Sequence, residues 1–143
     1  MNRAIWILCW PLLMFSACVG VNTPQYYLRI AGNYYQQGRY HAAIEACQKA
    51  LSKDPFYKEA QYNLGNAFMK IGHYDNAIHA YQQALWIQEN YPQPHYGLAV
   101  AYAQTGKIDA ARGEINKYLE LVPNDDNARV LREQLESESQ RRE

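Results

Sequence analysis

A chain of 143 residues, 48% hydrophobic and 20% charged, has room for one domain and enough apolar side chains to give it a core. Its 14 basic and 14 acidic residues cancel, which removes the field that draws a protein to nucleic acid. Arg141 and Arg142, the paired basic residues, lie beside glutamates in a polar tail, so no nucleic-acid partner is expected.

The first element is "MNRAIWILCWPLLMFSACVG". Arg3 and the amino terminus give a positive start, Ala4–Phe15 an apolar run, and Ser16 and Ala17 the small residues of a cleavage site, so residues 1–17 read as an export signal. The twelve-residue run is shorter than the ~20 residues that cross a bilayer, and Pro11 interrupts it. "FSAC" resembles the lipobox of bacterial lipoproteins, with Phe15 where that family prefers leucine. The resemblance implies lipid on Cys18, cleavage in front of it and a lipid-anchored linker over 18–23. Val19 after the cysteine implies sorting to the outer membrane, facing the periplasm. Acyl chains bind at ~0.8 kcal/mol per buried methylene, enough for stable attachment when several are present.

Of three cysteines, Cys9 leaves with the signal and Cys18 would carry lipid, so Cys47 has no disulfide partner and is expected as a buried, inert thiol.

Residues 24–57, 58–91 and 92–125 then align without a gap. Equivalent places hold Ile30, Leu64 and Leu98; Ala31, Gly65 and Ala99; Tyr34, Phe68 and Tyr102; Gly38, Gly72 and Gly106; Ala43, Ala77 and Ala111; Cys47, Tyr81 and Ile115; Leu51, Leu85 and Leu119. A 34-residue period of this kind is a repeat architecture. Both halves of each copy carry helix-period stripes, and the glycine between them predicts a helix end with positive φ. Each copy is therefore a helical hairpin. Small residues such as Gly65 and Ala77 let its helices approach, while Phe68 and Tyr81 fill the space between hairpins.

The pattern resembles the tetratricopeptide repeat: Gln61, Leu64, Gly65, Phe68, Ala77 and Tyr81 follow the family's spacing, as do Tyr27, Ile30, Ala31, Tyr34, Ala43, Cys47 and Pro55, and His95, Leu98, Ala99, Tyr102, Ala111, Ile115 and Pro123. The second copy departs with Glu89 in the proline place, and the third with Tyr118 where the others have Ala50 and Ala84, which demands room from the last helix. The resemblance implies an all-α fold, a right-handed superhelical solenoid of three helix-turn-helix hairpins plus a C-terminal capping helix.

Residues 126–143 supply that cap and a polar tail. Asn124 or Asp125 can start the helix, Ala128, Leu131 and Leu135 share one face, and Arg129–Glu133 and Arg132–Glu136 are spaced as i,i+4 pairs. Order is expected to fade beyond Ser137.

No catalytic, metal or cofactor site is expected. "LGNAFMKIGHYDNAI" lacks the Gly-Lys-Ser/Thr ending of a phosphate loop, His73 and Asp75 fall at an exposed turn, and His41, His79 and His95 are scattered without a ligand partner at metal spacing.

Binding is the expected role. The first helices leave one side free of core residues, and in the resembled family this concave side usually holds a peptide. It comprises Leu28, Arg29, Gly32, Tyr35 and Gln36, then Glu59, Tyr62, Asn63, Asn66, Met69 and Lys70, then Gln93, Tyr96, Gly97, Val100, Ala103 and Gln104. Asn63 and Asn66 can pair with an extended backbone, Tyr35, Tyr62, Met69 and Tyr96 offer apolar platforms, and Arg29, Lys70 and Val100 complete the candidate groove, whose wall carries little charge. Chaperone-binding members grip terminal carboxylates with a lysine and an asparagine in the first repeat and basic residues in the third; Leu28, Gly32, Gln93 and Gly97 stand in those places. The expectation is a lipid-anchored scaffold that binds a segment of an envelope protein, as in assembly of type IV pilus or secretion machinery. The alternative is a structural protein that self-associates into a homo-oligomer.

Overall fold

The computed structural model describes residues 22–141. Those residues form seven α-helices and no strand: α1 (Pro24–Gln36), α2 (Tyr40–Lys53), α3 (Lys58–Lys70), α4 (Tyr74–Ile87), α5 (Pro92–Gln104), α6 (Ile108–Leu121) and α7 (Asp126–Gln140). Each helix packs on the next, and α3 also touches α1 and α5. The result is the solenoid of three hairpins closed by a capping helix that the repeat period predicts. Cys18 and the signal lie outside the described residues.

Local chemistry explains the boundaries. Thr23 Oγ1 accepts from the Tyr26 amide at 3.2 Å, and Pro24 lacks an N–H where the helix start needs none. At the three hairpin turns Gly38, Gly72 and Gly106 take φ of 73°, 75° and 74°. The next amide then reaches back over the turn, from Arg39 to the Tyr34 carbonyl (2.9 Å), His73 to Phe68 (3.0 Å) and Lys107 to Tyr102 (2.9 Å), which closes each first helix the same way.

The core is built from alanine. Ala31, Ala43, Ala77, Ala99 and Ala111 are buried, so the helices come close, and Cys47, Tyr81 and Ile115 occupy equivalent interior places. Tyr81 fills the seam between the second and third hairpins, only 1% exposed, with Phe68 half-buried above it. Its ring explains two glycines at once: a Cβ on Gly65 or on Gly97 would approach it to 2.6 Å. Gly97 borders the trough, as read in the sequence, and is a packing residue as well.

At the C-terminal end Asp125 is the cap, its Oδ1 accepting from the Ala128 amide at 3.1 Å. Ala128 and Leu135 are buried and Leu131 half-buried. Two expectations change. The helix persists past Ser137 to Gln140, because Arg112 on α6 donates to Ser139 Oγ (3.2 Å) and ties the last turn down. Arg129 does not join Glu133; it turns towards the helix start, where Asp126 (3.0 Å) and the Pro123 carbonyl (2.6 Å) offer two acceptors together. Arg132 and Glu136 do approach, at 3.6 Å.

Candidate functional site

The free sides of α1, α3 and α5 line a trough made of three hollows that share walls. The first, about 150 Å³, lies among Ala31, Gly32, Tyr35, Cys47, Asn63 and Asn66. Tyr35 and Asn66 pass into the second, about 360 Å³, which Tyr62, Met69, Lys70, Tyr96 and Val100 complete. Tyr62 and Tyr96 continue into a third of about 210 Å³ that ends on Tyr118, Asp125 and Asn127.

Eight of the nine residues singled out from the sequence therefore border one surface, and Arg29 does not. Its exposed guanidinium sits over the Tyr26 ring, 5.6 Å from the centroid. The far wall was not anticipated. Tyr118 reaches it by laying its ring against Tyr96 (centroids 5.3 Å apart) and donating its hydroxyl to Asp125 Oδ2 at 2.7 Å. The large residue in a small-residue place thus finds its room towards Tyr96 on α5 and the cap residue Asp125 in front of the last helix.

The first hollow has a sequence origin. Where the second repeat places Tyr81 between two glycines, the first places the smaller Cys47 between Ala31 and Asn63, and the space is left empty. Burial pushes the Cys47 thiol up to about 12, which keeps it protonated and unreactive.

Polar groups in the trough differ in what they can still bind. Tyr81 donates to Asn66 Oδ1 at 2.7 Å, so that carbonyl is engaged and the Asn66 amide NH₂ is the group left to donate. Asn63 makes no side-chain hydrogen bond among the described residues, which leaves a donor and an acceptor at the rim. The aromatic rings brace one another: Tyr62 lies 5.6 Å from Tyr91 and 6.0 Å from Tyr81, and Tyr35 lies 5.4 Å from Tyr40. Burial raises the Tyr35 and Tyr81 hydroxyls, and burial with the nearby Glu59 charge takes Tyr91 to about 12. The hydrogen bond to Asp125, reinforced by burial, takes Tyr118 to about 12. These hydroxyls stay neutral, so the tyrosines bring ring faces and hydroxyls to the trough, and its charges are those of Lys70 and Asp125.

One polar pair was missed because its members lie 19 residues apart on different helices. His95, 6% exposed in the first turn of α5, places Nδ1 2.7 Å from Glu114 Oε2 on α6 and Nε2 3.2 Å from the Glu89 carbonyl. Burial alone would raise the Glu114 carboxyl, but hydrogen bonds from His95 and Lys117 outweigh it and hold the carboxyl below the usual range. His73 and Asp75 do not form a working pair: His73 stacks on Phe68 and the Asp75 carboxylate lies 4.0 Å from Lys107 Nζ. Among the described residues no group of three or more metal-ligating side chains gathers.

A family profile described as TPR repeat matches residues 33–72 and 65–106, together about half of the chain. No curated protein matches the sequence. Among solved structures, the chain is similar to the first TPR of Spaghetti (RPAP3) bound to the HSP90 peptide SRMEEVD, at 20% identity and a TM-score of 0.79 over 80% of this chain and 90% of that one. The Arabidopsis OM64 TPR domain is 15% identical, with a TM-score of 0.77 over 78% and 93%. The Yersinia enterocolitica type III secretion chaperone SycD, in complex with a peptide of the translocator YopD, is 22% identical, with a TM-score of 0.76 over 80% and 93%. Likeness at this level of identity concerns the fold.

Proposed function

The chain belongs to the tetratricopeptide repeat family, and from that premise we propose that it is an adaptor whose trough holds an extended segment of another cell-envelope protein. The observation that carries this reading is the continuous surface from Tyr35 to Tyr118, in which braced tyrosines alternate with the Asn63 and Asn66 amides. Rings held in place give up little entropy on binding, and amides pair with whichever backbone groups the segment offers. Solved relatives of the fold with peptides bound support the same reading.

The ligand differs from the acidic peptide SRMEEVD held by the RPAP3 domain. Leu28, Gly32 and Gln93 bring no charge to the places where a carboxylate grip needs it, and a side chain at Gly97 would run into Tyr81. The segment suited to this trough is apolar or aromatic at intervals and uncharged between. The protein is read as a scaffold rather than an enzyme, attached to the outer membrane through lipid on Cys18 and serving assembly of an envelope machine such as a secretion or pilus system.

Sedimentation across a concentration series tests this against self-association. A monomer that binds its partner and loses it on Tyr62→Ala with Asn66→Ala supports capture; self-association unmoved by both substitutions supports the structural alternative. For the anchor, incorporation of labelled palmitate should vanish in Cys18→Ser, and its persistence would defeat the lipid reading.

A further inference from the structure

The solenoid has two long edges. One carries the glycine turns, and the other carries the segments that join one hairpin to the next. All four exposed large hydrophobic residues in the described chain lie towards the joining edge. Phe56, 62% exposed, is in the α2–α3 segment; Trp86, 71% exposed, is in the last turn of α4; Leu121 ends α6; and Val130 is in the second turn of α7. Phe56 and Trp86 stack with centroids 5.8 Å apart and their planes 29° from parallel, which makes a broad aromatic plate facing solvent. The repeat explains nothing here, since the places equivalent to Trp86 hold Ser52 and Glu120 and those equivalent to Phe56 hold Asn90 and Asn124.

The same edge receives the N-terminal chain. α1 begins there at Pro24, so the chain enters the fold on the side that bears the plate. The four residues of chain from Cys18 to Asn22 extend to at most ~14 Å. Neighbouring helices are spaced ~10 Å apart, so a tether that short keeps the first two repeats against whatever holds residue 18. Tryptophan is favoured at the headgroup level of a bilayer, where its ring is buried and its N–H stays wet.

We propose that the joining edge rests on the lipid surface, with Phe56 and Trp86 inserted among the headgroups. The inference rests on membrane attachment at Cys18. The helices then stand along the membrane normal, the trough opens sideways, and a 13-residue helix spans ~20 Å, so the captured segment lies within that distance of the bilayer. The client is accordingly a membrane-proximal stretch of its own protein. Lys53, Lys58 and Arg129 on this edge are outnumbered by Asp54, Glu59, Glu89, Glu120, Asp125 and Asp126, so insertion and not charge attraction holds it, and added salt should not release it.

Trp6 and Trp10 are the other tryptophans, so Trp6→Phe with Trp10→Phe leaves Trp86 as the single tryptophan of the full chain, excited selectively at wavelengths the 13 tyrosines do not absorb. This protein, isolated from bacterial membranes, is placed in phosphatidylethanolamine–phosphatidylglycerol vesicles with bromine near the headgroup end of the acyl chains. Flotation reports attachment separately. The proposal expects flotation together with quenching of Trp86 by about twofold or more, and no such quenching when Trp86→Phe and Gln37→Trp move the fluorophore to the glycine edge. Flotation without quenching, or equal quenching from both edges, overturns the proposal and leaves the anchor standing. Failure to float removes both. A concentration-dependent blue shift without lipid shows that the plate meets a second copy and overturns it as well.

Discussion

The ring of Tyr81 is clamped between Gly65 of its own hairpin and Gly97 of the next, with its hydroxyl 2.7 Å from Asn66 Oδ1. The ring cannot leave one glycine without pressing on the other. One side chain therefore sets the spacing of two repeats and the orientation of a trough amide.

Gly97→Ala should destabilise the protein by ~1 to 3 kcal/mol, the usual cost of overpacking, and Gly65→Ala by a similar amount. In a double-mutant cycle Tyr81→Leu should recover part of the loss, since neighbours that share one space do not add. Thermal unfolding of the four proteins measures this; strict additivity would mean that the ring yields freely.

At Gly72 the space around a Cβ is open, so only the backbone is at issue. With φ at 75°, Gly72→Ala should cost ~1 to 2 kcal/mol through left-handed strain, and Gly72→Asn less, because asparagine visits that region more readily. Urea midpoints for the pair test the order.

His95 and Glu114 tie the third hairpin together internally. Glu114→Gln should cost ~1 to 3 kcal/mol at neutral pH by breaking a largely buried charge-assisted bond. The sign of the pH effect follows from the lowered carboxyl. Its stabilisation is present above the ordinary 4.5, and is lost as pH falls from there through the depressed value. The variant's stability should vary less than the native chain's across that acid range, in denaturant titrations at stepped pH.

Cys47, fully buried with its thiol pushed up to about 12, should be protected from alkylation in the native protein. Mass spectrometry of the Cys47 peptide should find labelling only as urea unfolds the chain. Rapid native labelling would mean that the first hollow opens to the thiol.

The helical hairpins and their turns were legible because each is decided locally, by a stripe at helical period and by one glycine. The pattern of small residues likewise announced close packing. Gly97 was legible only as a residue on the free side, because its contact with Tyr81 depends on how one hairpin is set against the next. The same holds for Tyr118 as a trough wall and for His95 with Glu114, each made by residues that no single helix period brings together. Arg129 shows a different limit: i,i+4 spacing offered Glu133, but two acceptors at the helix start were nearer.

Tyr62 stands where the second and third hollows meet, so Tyr62→Ala should weaken partner binding by about tenfold or more, as loss of a central aromatic anchor does. Calorimetry with the captured segment would read this, with circular dichroism showing the helices intact.

The most direct test places a photo-crosslinking residue in living cells at Val100, inside the trough, and separately at Asn116, exposed on α6 away from it. The account predicts a defined adduct with one envelope protein from Val100, lost on Tyr62→Ala, and none from Asn116. The same adduct from both positions, or one from Val100 that survives Tyr62→Ala, would contradict it.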